Sequence, residues 1–182
     1  MTGAIEIASF KAGDQQGVID LILPIQREEF GFAITAEDQP DLAAIPAFYQ
    51  SGKGDFWVAR CEGRVVGSIG LKDIGNDQAA LRKMFVAAPF RGRELGVAAA
   101  LLQRLLDEAR ERGIRDVFLG TTDRFLAAHR FYEKHGFVEI AKADLPESFL
   151  FMAVDTKFYV FRLAARDTGP EPRSPDRNST DG

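Results

Sequence analysis

The sequence is poor in the side chains that most often build metal sites and covalent cross-links. Cysteine occurs once in 182 residues, as Cys61, and histidine twice, as His129 and His135. One cysteine forms no intrachain disulfide, and together with two histidines it supplies no familiar zinc spacing, so no metal is expected. Cys61 lies in a strand-like run, where a small buried apolar residue is the expected role. An excess of positive charge is also missing. The 23 Lys+Arg stand against 27 Asp+Glu, a formal net charge of -4. Nucleic-acid binders usually present a basic face, so no nucleic-acid partner is expected. No apolar run approaches a membrane span, and the start of the chain lacks the basic-then-apolar pattern of a signal peptide. These absences imply a soluble, cytoplasmic protein with no membrane partner. They leave the oligomeric state open, a homodimer included.

What is present is ordinary for a globular domain: 46% hydrophobic and 27% charged residues. Residues 5–10 alternate apolar and polar, as a strand does. Asp14 stands where it can cap a helix running to about Phe30, with Pro24 placed to kink or split it. Residues 31–40 read as loop and 41–50 as a second short helix. Residues 56–61, 65–74 and 80–86 then read as three consecutive strands joined by Glu62-Gly63-Arg64 and Gly75-Asn76-Asp77, a meander. The period changes to 3.6 over 95–112, closed by Gly113. A strand over 116–120, a helix over 124–135 capped by Asp123 and closed by Gly136, and strands over 137–140 and 158–163 complete the order. This predicts an α/β domain with one mixed sheet over residues 1–165. Residues 166–182 are rich in Pro, Gly, Ser, Asp and Arg, and read as a disordered tail.

The chemically informative stretch is Met84-Phe85-Val86-Ala87-Ala88-Pro89-Phe90-Arg91-Gly92-Arg93-Glu94-Leu95-Gly96-Val97-Ala98. A strand ends, a turn follows, and an amphipathic helix begins. Unpaired N–H groups and the partial positive charge of a helix start make such a turn an anion site. Gly92 and Gly96 allow close backbone approach, while Arg91 and Arg93 add charge. A pyrophosphate is the natural guest.

These residues resemble the central motif of the GCN5-related N-acetyltransferase (GNAT) family, Gln/Arg-x-x-Gly-x-Gly/Ala at the head of a long helix. The departure is Glu94, which stands where the first motif glycine usually lies. Its side chain is expected to point outward. A second match is Ala128-His129-Arg130-Phe131-Tyr132-Glu133-Lys134-His135-Gly136-Phe137, which resembles the family's Ala-x-x-Phe-Tyr-x-x-x-Gly-Phe signature. Together the motifs cover about residues 80–140.

The resemblance implies a mixed sheet splayed in its middle and flanked by helices, with the pantetheine arm of acetyl-CoA in the splay. Met84, Phe85 and Val86 would line that arm, and Arg91, Gly92, Arg93, Glu94, Leu95, Gly96 and Val97 would hold the pyrophosphate. The implied reaction is direct attack of a primary amine on the thioester, with Tyr132 protonating the departing thiolate. The acceptor, a small-molecule or peptide amine, is not named by any residue. Phe30, Phe32 and Phe151 are candidate walls of its pocket. Some members carry a carboxylate on the strand that here ends near Gly120, and an asparagine near the place of Phe125; this chain has neither. Glu29, Asp73 and Asp123 are the candidate bases. His129 is expected at the surface, and Arg82 and Lys83 are expected to point to opposite faces of their strand. The rival reading is a catalytically silent acyl-CoA-binding or regulatory domain of the same fold. A nucleotide-binding P-loop is excluded, because the Lys-Ser/Thr pair is missing.

Overall fold

The computed structural model describes residues 3–92 and 94–163. The strands are β1 (Ile5–Ser9), β2 (Asp55–Cys61), β3 (Arg64–Gly75), β4 (Gln78–Val86), β5 (Asp116–Thr121), β6 (Val138–Ile140) and β7 (Lys157–Arg162). They form one seven-stranded sheet in the order β1-β2-β3-β4-β5-β7-β6. Every neighbouring pair is antiparallel except β4 and β5, which are parallel. The expected meander is present. Its two connections, Glu62-Gly63 and Asn76-Asp77, have positive φ at both positions, the twist that suits a tight hairpin.

The helices are α1 (Gln15–Pro24), α2 (Pro40–Ala43), α3 (Ile45–Phe48), α4 (Val97–Glu111) and α5 (Leu126–Lys134). α4 buries Leu101, Leu102, Leu105, Leu106 and Ala109 against Trp57, Ala59, Ile69 and Leu71 of the sheet. Each fully buried leucine contributes on the order of 2 kcal/mol. Gly67 sets how closely α4 approaches, since a Cβ there would meet Leu101 Cδ1 at 2.9 Å. α5 covers the same face through Tyr132 and Ala128. The opposite face is covered by α1–α3, which pack on Phe56 and Val58, and by Phe149, which packs on Ala80, Phe118 and Phe158. Cys61 is buried within β2. No helix among the described residues is long and apolar enough to cross a membrane.

The expected split at Pro24 is present, and three other local expectations need correction. The helix from Asp14 stops at Pro24 and relaxes into a wide turn over Ile25–Glu29, where Phe30 N donates to Ile25 O at 3.1 Å. The helix expected over 41–50 breaks into α2 and α3 at Ala44. Pro46 lacks the N–H that a continuous helix would bond four residues back. Asp123 does not cap α5. Its N–H donates to Thr156 Oγ1 at 3.0 Å, and the helix begins three residues later. Asp14 precedes α1 without capping it, because its carboxylate accepts from Lys11 N at 2.9 Å and from Arg60 Nε at 2.8 Å. The expected tail over 166–182 lies outside the described residues.

The Asp14–Arg60 pair ties the start of α1 to β2. The hydrogen bonds from Arg60 hold the Asp14 carboxyl below its ordinary 3.8. A depressed carboxyl stabilises the fold above its unfolded value and loses that contribution as pH falls through the folded one. Asp14→Asn should therefore cost about 2 kcal/mol at pH 7. In urea denaturation the deficit should shrink towards zero as pH drops below 3.8. A deficit independent of pH would refute the ion-pair account.

Candidate active site

β4 and β5 share a short stretch of pairing, Gln78–Ala80 against Asp116–Phe118. Beyond it they part. β4 continues to Val86 with its outer edge on β3, and β5 continues to Thr121 with its outer edge on β7. Their facing edges thus carry backbone N–H and C=O groups that no strand satisfies, in the middle of the sheet. The splay expected of the fold is this gap.

The turn after β4 sits at the end of the gap. Gly92 and Gly96 have φ of +116° and +61°, and nothing lies within 4 Å of a Cβ built on either. Gly96 is the residue before α4, so the helix starts at Val97 rather than Leu95. The first N–H groups of α4 are open, because a left-handed glycine supplies no side-chain cap. Glu94 is exposed, Leu95 packs partly against the core, and Val97 is buried. Arg93 lies outside the described residues. Arg91 is differently placed from the expectation that it adds free charge to the turn. Its Nε donates to Val86 O at 2.7 Å, and its two terminal nitrogens donate to both oxygens of Glu29, at 2.5 and 2.9 Å. This bidentate pair occupies both Glu29 oxygens and holds its carboxyl below its usual range, which makes Glu29 a weaker base.

The next residue along, Phe30, stacks 4.2 Å from Phe125, the residue before α5, and Phe32 joins the cluster at 6.2 Å from Phe125. The segment after α1 therefore touches the loop after β4 through Glu29 and the loop after β5 through Phe30. It spans the open end of the splay. Phe151 is not part of that cluster. It is exposed beside Phe158, with Lys142 Nζ 4.0 Å from its ring.

The inner part of β4 carries a bulge. Between the pairs Ser68–Phe85 and Gly70–Arg82, one residue of β3, Ile69, faces two of β4, Lys83 and Met84. Lys83 adopts φ +54°, a conformation that costs a non-glycine residue about 1 kcal/mol. Ser68 Oγ donates to Lys83 O at 2.7 Å, and Lys83 Nζ donates to Gln39 Oε1 at 2.6 Å. Both bonds offset the strain. Gln39 also exchanges two hydrogen bonds with Gln26, and Asp41, 3.7 Å from Lys83 Nζ, accepts from Tyr49 OH at 2.6 Å. Burial pulls the Lys83 ammonium below its ordinary 10.5.

The bulge overturns the expectation that Arg82 and Lys83 point to opposite faces. An extra residue resets the alternation. Lys83 reaches α2, while Arg82 lies 5.8 Å from the Phe48 ring of α3 and 3.7 Å from Met152 Sδ. Both cations thus serve the face covered by α1–α3. Arg82 makes no ion pair among the described residues, and Lys83 pairs with Asp41.

Met84 falls on the other face, towards α5. Tyr132, buried in that helix, places its hydroxyl 3.8 Å from Met84 Sδ, and burial pushes its phenol well above the ordinary value. The structure thus brings Tyr132 to the lining of the splay at Met84. Phe85 packs against the α1 side and Val86 is buried. His129 is not a surface residue; it is buried and bonded to Thr122 O at 2.7 Å. Asp73 is held by Lys53 N and Gly75 N in a turn remote from the splay. A lone φ-positive lysine has no reliable sequence signal, so the bulge was the part least open to inspection of the chain.

The family model described as Acetyltransferase (GNAT) family matches residues 19–137. N-acetylaspartate synthetase of Danio rerio is 38% identical over 106 residues, covering 57% of this chain and 37% of that protein. The Rattus norvegicus N-acetylaspartate synthetase is 35% identical over 136 residues, covering 70% of this chain and 45% of that protein. The chain thus spans less than half the length of these curated relatives. A solved GNAT-family acetyltransferase from Staphylococcus aureus Mu50 superposes with a TM-score of 0.84 at 38% identity, over 88% of this chain and 100% of that one. Splayed sheet, glycine turn and Tyr132 signature agree with these matches: the chain belongs to the GNAT acetyltransferase family.

Proposed function

We propose that the chain transfers the acetyl group of acetyl-CoA to the primary amine of a small acceptor that also carries a carboxylate, an amino acid such as aspartate. The observation that carries the acceptor class is Arg82. Its guanidinium lies partly buried beside the splay, on the face of α1–α3, and makes no ion pair within 4.0 Å among the described residues, Asp155 acting on it from farther away. A carboxylate is the planar, bidentate match for a guanidinium. The names of the relatives, which are synthetases of an N-acetylated amino dicarboxylic acid, support the same class.

The glycine turn and the open start of α4 are suited to the pyrophosphate of acetyl-CoA. The unpaired edge of β4 from Leu81 to Val86 is suited to the amide-bearing arm. Attack then needs a neutral amine, and the departing sulfur needs a proton. Tyr132 remains protonated throughout the neutral range because burial opposes its ionisation. Its hydroxyl has only a sulfur contact to lose when it donates to the thiolate.

An acceptor panel with acetyl-CoA, read as release of free CoA, tests the reading. Amino acids with free carboxylates should be consumed, and their amides or simple alkylamines should not. Arg82→Met should raise KM for a carboxylate acceptor roughly tenfold to a hundredfold, with acetyl-CoA affinity unchanged. An equal KM for acid and amide in the wild type would remove the carboxylate from the account. Tyr132→Phe should lower kcat roughly a hundredfold while calorimetry shows unaltered acetyl-CoA binding. An unaltered kcat would remove Tyr132 as the acid.

A further inference from the structure

Glu29 and Asp73, two of the carboxylates singled out in the sequence, are held by other groups, and Asp123 is exposed just past the end of β5. A further carboxylate lies against β5 itself. Gly120 lies on β5 beyond its pairing with β4, on the same face as Phe118. A Cβ at Gly120 would meet Asp155 Oδ2 at 2.7 Å, Cγ at 2.9 Å and Cβ at 3.2 Å. The Asp155 side chain therefore lies directly on the β5 backbone, in a notch that exists because residue 120 has no side chain. Its position is fixed by a closed turn. Asp155 N donates to Met152 O at 3.0 Å, and Met152 N donates to Asp155 Oδ2 at 2.8 Å. Next to it, Thr156 N donates to Thr121 O at 2.9 Å, and Thr156 Oγ1 accepts from Asp123 N. The segment is thus pinned to the end of β5. Asp155 Oδ1 makes no hydrogen bond among the described residues.

We propose that Asp155 is the general base of the transfer, its free Oδ1 taking the proton from the acceptor ammonium at the splay. This role rests on the acetyltransferase reading above. The step balances without any further reactant. One proton passes from the ammonium nitrogen to Asp155, the freed lone pair forms the C–N bond, and the C–S bond breaks as the thiolate takes a proton from Tyr132. The second proton of the former ammonium leaves the nitrogen to restore the Tyr132 phenol, and Asp155 releases its proton to solvent. The surrounding charges suit the task. Arg82 and Lys83, both from β4, are the charged groups that act on Asp155, and Asp41 of α2 stands behind Lys83. Burial outweighs the two cations and raises the carboxyl above its ordinary 3.8. A carboxylate so raised is a stronger base than an exposed aspartate. The same pocket would then hold both ends of an amino acid: the carboxylate at Arg82 and the amine at Asp155.

The test is the pH profile of kcat/KM for the wild type, Asp155→Asn and Gly120→Ala, with acetyl-CoA affinity measured on each. Because the base acts as its ionised form, wild-type kcat/KM should rise with pH through the raised carboxyl value. Asp155→Asn should lower kcat/KM about a hundredfold and abolish that acid limb, with acetyl-CoA binding intact. Gly120→Ala keeps the carboxylate but displaces it, so it should lower kcat/KM while retaining an acid limb. An acid limb and rate unmoved in Asp155→Asn would overturn the role, as would loss of acetyl-CoA binding together with turnover, which marks a structural residue. Absence of transfer by the wild type to every primary amine would sink the function and this role together. Wild-type turnover with an unmoved Asp155→Asn profile would sink the role alone.

Discussion

β4 and β5 hold each other for the length of Gln78–Ala80 and then separate, while each stays paired on its far side to β3 and β7. A backbone edge opened in the middle of a sheet leaves N–H and C=O groups that need a partner. Water or a guest that carries its own amides can supply such partners. Everything else in the site is arranged along that slot. The glycine turn and the start of α4 close one end with N–H groups and a helix dipole. Met84 and Tyr132 meet on one face. Arg82, Lys83 and Asp155 meet on the other. The segment from Glu29 to Phe32 crosses the open end.

The bulge decides which side chains reach which face. Without it, Lys83 would turn towards α4 and α5, where Trp57, Leu81 and Leu119 form an apolar core. A lysine there would be desolvated without a partner, at a cost of several kcal/mol. The extra residue sends Lys83 instead to Gln39 and Asp41, so the same distortion satisfies the lysine and sets Arg82 and Met84 on opposite faces of the slot. Removal of Lys83 from the core side and placement of Arg82 opposite Met84 are one structural event.

Much of the architecture is legible in the chain because it rests on local signals. Two hairpin turns with residues that tolerate positive φ, a 3.6-residue apolar period over α4, and glycines closing α4 and α5 each have one physical reading. Prolines mark two breaks, of which only the one at Pro46 went unforeseen. Pro24 ends α1, and Pro46 divides a helix that apolar spacing alone would make continuous. The other failures are contacts distant in sequence. Asp14 answers to Arg60, Glu29 to Arg91, Phe30 to Phe125, and Asp155 to the missing side chain of Gly120. No spacing rule announces such pairs. For that reason the turn that suits acetyl-CoA could be read from consecutive residues. The groups offered here for the acceptor could not, since they converge from β4, β5 and the segment before β7.

The central claim is that the gap between β4 and β5, continued by the turn into α4, receives acetyl-CoA. Backbone amide exchange with and without acetyl-CoA tests it directly. Slowed exchange should be confined to Leu81–Val86, to 119–121 and to 94–99. Protection elsewhere, for example along α1 and the β2–β3 turn, or no protection at saturating acetyl-CoA, would contradict the account.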